Sequence, residues 1–134
     1  MLKEIAQFIE NKTAFVIGTT LQVAWRPDTA PDRCLLIAET GPAPGVFELP
    51  DRVDKMIMIK SRAVDYWDAR ADAVIIWELF NGTAGWQLPQ VDGGTKYEAM
   101  TVDAISFPQY LGIDKAERHE FSTNYQFKLE DRDA

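Results

Sequence analysis

The sequence predicts an α+β fold: a mostly antiparallel sheet of about five strands, with one main helix and a short N-terminal helix packed on one face. Strict alternation of apolar and polar residues over 119–129 predicts a long strand with one packed face. Helical periodicity over 64–80 predicts the main helix. The predicted order is helix, hairpin, strand, helix, hairpin, with two strand clusters that pair antiparallel and helices on one sheet face, and this order is typical of α+β.

The first 40 residues predict a helix followed by an antiparallel hairpin. Apolar residues recur at helical spacing from Leu2 and predict a helix that ends near Asn11. Residues 13–18 form a β-rich segment closed by glycine. Residues 21–26 and 33–40 read as two strands, and the intervening loop is rich in proline and aspartate, as suits a hairpin connection.

The middle of the chain predicts a turn and a central strand. Residues 41–45 are rich in Gly and Pro and predict an exposed turn. Residues 54–62 are largely apolar at both alternating sets of positions, which is typical of a strand covered on each side. We therefore expect this strand to lie in the middle of the sheet.

The main helix is expected over residues 64–80, with Asp65 and Asp68 near its positive N-terminal end and Asn81-Gly82 at its end. Trp77 and Phe80 widen its apolar arc, and we expect part of this arc to contact another subunit. Its predicted core face consists of Val64, Trp67, Ala71, Val74, Ile75 and Leu79.

The last third predicts a loop over 83–94, centred on Trp86 and Leu88, followed by two strands that flank a compact connector over 107–114. In the strand over 119–129 one set of alternating residues should pack and the other should face water. The packed set is His119, Phe121, Thr123, Tyr125, Phe127 and Leu129.

Length and composition bound the class of protein. With 134 residues, 46% of them hydrophobic, residues 1–134 are expected to form a single domain. The lone Cys34 is expected to be buried as a small apolar residue. A formal charge of −7 argues against tight nucleic-acid binding. The sequence has no membrane-length apolar run and no signal-peptide pattern, which predicts a soluble protein.

The sequence shows no pattern of reacting groups. Phosphate-loop, dinucleotide and His-Glu-x-x-His motifs are absent, and the single histidine, His119, is interpreted as a polar residue at a strand end or subunit contact. Asp65, Asp68 and Asp72 share a helix face and could bind Mg²⁺ or Ca²⁺, but a solvated face neutralised by Arg62 and Arg70 is favoured. No enzyme activity, cofactor or metal is predicted.

Contact residues are expected instead, because large aromatics in loops and arginines are typical of interfaces. Trp86 and Tyr110, both in predicted loops, are the first candidates. The predicted interface set is Arg62, Trp86, Phe107, Tyr110, Arg118 and Glu120.

Several runs of sequence resemble the phage minor capsid family, whose members are similar to the tail-terminator and head-to-tail joining proteins of long-tailed bacteriophages. These runs are ELPD at 48–51, SRA at 61–63, DYWDAR at 65–70, GTAGWQLP at 82–89, PQYLG at 108–112 and RHEFSTNY at 118–125. The resemblance implies a virion protein, assembled in the bacterial host cytoplasm, that closes into a ring of six. The implied partners are its own copies, the tail tube protein and the head connector protein.

Two other functions stay open on sequence alone. One is a small soluble ligand-binding or regulatory α+β domain that acts as a dimer. The other is an enzyme using His119 with Glu120 or Asp103, for which the sequence suggests no reaction class. Light scattering separates a large ring from a dimer.

Overall fold

The computed structural model describes residues 2–27, 29–42, 52–93 and 96–131, and within them the chain forms two helices and seven strands. The predicted α+β class is confirmed, whereas the expected five strands become seven. The elements in chain order are α1 Leu2–Lys12, β1 Leu21–Val23, β2 Cys34–Pro42, β3 Arg52–Ala63, α2 Tyr66–Phe80, β4 Thr83–Gln87, β5 Tyr97–Ala104, β6 Gln109–Ile113 and β7 His119–Asp131.

The strand β7 organises a sheet of order β1-β2-β3-β7-β5-β4. One side of β7 pairs with β3 from Ala63↔His119 to Arg52↔Glu130. Its other side pairs with β6 near its start and with β5 near its end. The two extra strands, β4 and β6, lie in segments predicted as a loop and a connector. Both are five residues long and contain glycine, so their strand character is weak in sequence.

The predicted hairpin at the start of the chain is wrong, because β1 pairs with β2 in parallel, with Leu21 opposite Leu35 and Val23 opposite Ile37. Residue Ala24, at φ +73°, turns the chain away from β1, and its N–H donates to the Ile37 carbonyl at 2.8 Å. The sheet is mixed because the segment between β1 and β2, which we call the β1–β2 connector, brings the chain back beside the first residue of β1. The strand β2 then runs in the same direction as β1.

The connector between β1 and β2 lies against the end of β3. The Arg62 guanidinium donates to the carbonyls of Pro31 and Asp32 at 2.7 and 3.1 Å. Arg62 is only 4% exposed, and burial lowers its pKa. The β-rich segment 13–18 is not a strand, since its one ladder contact is an isolated bridge between Ile17 and Leu21.

The central position of β3 is confirmed, because it lies between β2 and β7. Its coverage is less symmetric than predicted. Ile57 and Ile59 are buried on the face that the helices cover, whereas Met56 and Met58 on the other face are half-buried. Of the predicted turn 41–45, Gly41 and Pro42 continue β2, and residues 43–45 lie outside the described residues.

Both helices pack on one face of the sheet, as predicted. The core joins Ile5 and Ile9 of α1 to Ile76 and Phe80 of α2 above the buried side chains of the central strands. The alternation in β7 is confirmed from Phe121 onward, since Phe121, Thr123, Tyr125, Phe127 and Leu129 are all buried, whereas His119 at the start of the strand is only half-buried. Cys34 is buried as expected.

The helix α2 presents a different face to the core from the one predicted. Its buried residues are Ala69, Asp72, Ala73, Ile76 and Phe80. Of the predicted core face, Val64, Trp67 and Ile75 are 58, 69 and 45% exposed. The helix is apolar around most of its circumference, so periodicity alone does not select a face. The small side chains of Ala69 and Ala73 let the helix lie close to the sheet, and larger apolar residues therefore point outward.

The predicted start and end signals of α2 are confirmed. The N-cap Asp65 accepts a hydrogen bond from the Trp67 N–H at 2.7 Å. At the other end the Asn81 N–H donates to the Trp77 carbonyl at 2.8 Å, and Gly82 follows at φ +72°.

Candidate assembly surfaces

Of the large apolar side chains exposed on the described surface, nine fall into three groups. We define the β6 surface as Phe107, Tyr110, Leu111 and Ile113, the α2 surface as Val64, Trp67 and Ile75, and the β1 surface as Val16 and Ile17. These nine side chains are between 37 and 69% exposed. Because contiguous apolar surface is unusual on a monomer, these patches are candidate contact sites.

The β6 surface lies on an edge of the sheet, because within the described residues β6 pairs with β7 alone. Tyr110 and Ile113 stand opposite Phe121 and His119, and this register places them on the helix side of the sheet. A bulge between Tyr110 and Gly112, with Gly112 at φ +108°, keeps both residues on that side. An exposed apolar edge of this kind is a ready site for joining another chain.

Aromatic contacts hold the β6 surface against α2. Tyr66 lies 5.3 Å from Tyr110 and 5.7 Å from His119, measured between ring centres. The Tyr110 hydroxyl is hydrogen-bonded to His119 Nδ1 at 2.8 Å. His119 is the first residue of β7, as the strand-end interpretation predicted, and its ring contacts are aromatic.

Phe107 is fixed by α2 while 46% of it remains exposed. Its ring lies 5.1 Å from the Trp77 ring in an edge-to-face arrangement, and the Arg70 guanidinium stacks 5.7 Å from its centre. The structure thus brings Phe107 and Tyr110, two of the predicted interface residues, onto one exposed surface.

Three other predicted interface residues make contacts within the subunit. Glu120 pairs with Arg26 at 3.3 Å and with Lys60 at 3.7 Å. Arg118 pairs with Asp114 and Asp32, and Arg62 donates a hydrogen bond to the Asp32 carbonyl in the connector between β1 and β2. These contacts tie the connector to β3 and β7, so a role of these side chains between subunits stays a prediction.

Trp86 lies in β4 rather than in the predicted loop. Its ring stacks on Phe8 at 4.2 Å and lies 6.2 Å from the Phe80 ring, while its Nε1–H donates to the Thr83 hydroxyl at 3.1 Å. The side chain therefore covers the end of the core between α1 and α2. A role in subunit contact also stays a prediction for this residue.

A groove of about 420 Å³ runs between the end of α1 and the side of α2. We call it the α1–α2 groove. Its apolar wall includes Ala14, Phe15 and Ile75, and its charged lining consists of Lys12, Arg33 and Asp72.

The acidic residues on α2 do not form the solvated face that the sequence favoured. The Asp72 side chain is only 2% exposed, and Arg33 donates to both of its oxygens, from Nε at 3.0 Å and from Nη2 at 2.9 Å. Asp68 lies 3.6 Å from the same guanidinium. The cation is therefore Arg33 rather than Arg62 or Arg70. Within the described ranges no group of three metal-ligating side chains was found.

Replacing Arg33 with leucine is expected to lower the free energy of unfolding by about 1–3 kcal/mol, because the buried Asp72 carboxylate loses its partner. Half of the Arg33 side chain is exposed, and this favours the lower part of that range. Urea unfolding measures the change. The double variant R33L/D72N should recover much of the loss, and an R33L protein as stable as the wild type would contradict the assignment.

The turn before β7 is held by Asp114. One of its oxygens accepts from the N–H groups of Ala116 and Arg118, and the other accepts from Arg118 Nε, all at 2.9 Å. Partial burial raises the pKa of Asp114, but these hydrogen bonds outweigh it and hold the pKa below its usual value.

This carboxylate should stabilise the fold above the ordinary Asp pKa of about 3.9, and the contribution should be lost as the pH falls through the lower folded pKa. The variant Asp114→Asn should accordingly be less stable than the wild type at pH 7, with the difference shrinking toward pH 2. Thermal melts across this range measure it. A difference that stays constant with pH would show that the charge is not responsible.

The fold and the surfaces define a class of protein: a small α+β subunit that exposes apolar residues on several sides and is suited to assembly. The family described as bacteriophage tail terminator protein matches residues 8–131, and the chain belongs to this family. Searches of curated proteins and of solved structures gave no match.

The family match confirms the resemblance to tail-terminator proteins and covers most of the first third of the chain, which carries none of the motifs behind that resemblance; the minor capsid assignment stays a prediction. The family is structural rather than enzymatic, and it makes the chain a component of the phage tail that interacts with other virion proteins. Among the described residues, no helix has the length and apolar character needed to cross a membrane.

Proposed function

We propose that this protein closes into a ring of six at the end of the tail tube and offers a surface to the head connector. The observation that carries the proposal is the placement of exposed apolar residues on both lateral sides of the sheet. The β1 surface lies beside the first strand of the sheet order, and the β6 surface lies beyond β7. A head-to-tail ring requires two such different surfaces on one subunit.

Phe107 and Tyr110 are the predicted interface residues best placed for direct contact. Tyr110 lies in the edge strand β6 and is 44% exposed, and Phe107 lies just before β6 and is 46% exposed. Arg62, Arg118 and Glu120 would support the contact by fixing the connector and the start of β7. Trp86 would support it by fixing β4 against α1. Aromatic residues held in place by their own subunit lose little freedom on binding, and this favours their use as anchors.

The charge of the protein suits a passage for DNA. With a formal charge of −7, a ring of identical subunits carries a large negative charge, and a negative lumen repels the phosphate backbone. DNA would then pass without adhering. The passage of DNA depends on ring closure, and we assign no DNA-binding site to the subunit.

Light scattering over a concentration series, with and without purified tail tubes, tests the proposal. A discrete closed species of high mass, present under at least one of these conditions, is the expected result. A protein that remains monomeric or dimeric throughout, including with tail tubes, would favour the ligand-binding alternative and contradict the ring.

A further inference from the structure

The β6 surface and the α1–α2 groove lie at the same level of the sheet. Ile113 stands opposite His119, and His119 stands opposite Ala63 in the next strand. Arg62, which precedes Ala63, stands opposite Cys34 in the antiparallel pair of β3 and β2. Arg33, which precedes Cys34, is therefore level with Ala63, and Ile113, His119, Ala63 and Arg33 form one row across the sheet. Three strand spacings, about 14 Å in all, separate β6 from β2 along the row.

The two features also lie on the same face of the sheet. Ile113 shares the side of His119 and Phe121, which is the helix side. The groove lies on that side as well, because Ile75 of α2 and Phe15 after α1 line it. The helix α2 stands between them, with Trp77 directed to Phe107 on one flank and Asp72 directed to Arg33 on the other.

Their chemistry is complementary. The groove has an apolar wall, and its charged lining consists of Lys12 and the Arg33–Asp72 pair, so Lys12 carries its excess positive charge in a chain whose formal charge is −7. Beside the β6 surface, Glu117 is exposed in the turn that follows Ile113. An apolar knob next to a carboxylate therefore matches an apolar groove next to an ammonium group.

We propose that Ile113 and its neighbours on β6 of one subunit insert into the α1–α2 groove of the next subunit, with Glu117 facing Lys12. This inference rests on the proposed ring and names the contact that would close it. With the ring axis parallel to the strands, a knob and a groove at one level relate successive subunits by a rotation with little rise, and this favours closure over a helical filament.

Cysteine cross-linking tests the contact. Ile75→Cys and Ile113→Cys are made in separate chains and mixed with tail tubes under mild oxidation, while the native Cys34 is buried. We expect a disulfide between the two variants and little in either variant alone. A mixture of Ile75→Cys with Trp25→Cys is the control, because Trp25 is 69% exposed on the connector.

Charge reversal provides an independent test on exposed residues. Because Lys12 lies in the last turn of α1, where a positive charge is favourable, urea unfolding of Lys12→Glu checks that the subunit still folds. Lys12→Glu and Glu117→Lys should each weaken assembly several-fold, and the double variant should recover most of it. Rings that form without the I75C–I113C cross-link and ignore both reversals would overturn this contact while leaving the proposed function standing. Absence of any ring in the wild type would overturn both.

Discussion

Replacing Phe80 with alanine is expected to lower the free energy of unfolding by about 4 kcal/mol, more than the loss expected for Arg33→Leu. Phe80 has no exposed surface, and its ring lies within 5.2 to 6.2 Å of the rings of Phe8, Trp86, Tyr125 and Phe127. It therefore joins α1, α2, β4 and β7, and its truncation leaves a cavity that these rings fill only in part.

Urea unfolding of the Phe80→Ala variant measures the loss. The matched control is Trp67→Ala on the same helix, where 69% exposure predicts a change of about 0.5 kcal/mol or less. Similar losses in the two variants would show that the inward face of α2 has been assigned wrongly.

Replacing Ile113 with aspartate is expected to abolish assembly and leave the subunit folded. Ile113 is 59% exposed, so a charge there remains hydrated in the monomer but would be buried in the contact. A lost hot spot of about 2 kcal/mol weakens each contact roughly 30-fold, and a ring repeats the loss at every interface.

Light scattering reports the assembly of this variant, and urea unfolding reports the fold of its monomer. Trp25→Asp is the control, because it adds the same charge at an exposed apolar position on the connector. Wild-type assembly by Ile113→Asp would remove the β6 surface from the interface. Loss of assembly in both variants would point to an effect of net charge alone.

The sequence predicts the buried face correctly where apolar and polar residues alternate regularly. The alternation in β7 identifies its buried face because a strand places successive side chains on opposite sides. The prediction failed for α2 because a helix that is apolar almost all round gives no preferred direction. Only the sheet beneath it, which accommodates the small Ala69 and Ala73, decides that Trp67 and Ile75 face outward.

Pairings between residues far apart in the chain could not be predicted from the sequence, because they depend on how distant segments pack. The direction of β1 relative to β2 depends on where the connector returns, and Arg62 of β3 fixes that connector. Asp72 carries no sequence mark that distinguishes it from Asp68. It is buried because it lies on the inward face of α2 beside Ala73, and Arg33, just before β2, pairs with it there.

The candidate surface was partly visible in the sequence. Tyr110 is a large aromatic in a predicted loop, where contact residues are commoner than core residues, and Phe107 begins the same predicted connector; both side chains are exposed. Trp86 met the same criterion but lies against Phe8, which comes from the other end of the chain. The groove could not be predicted at all, since Lys12, Arg33 and Ile75 meet only in the folded subunit.

Electron microscopy of the protein mixed with tail tubes is the decisive test of ring closure. We expect a closed ring of subunits at one end of each tube, with six-fold averages that place β6 of each subunit against the α1–α2 groove of its neighbour. Intact tubes with both ends bare, at protein concentrations well above that of tube ends, would contradict ring closure.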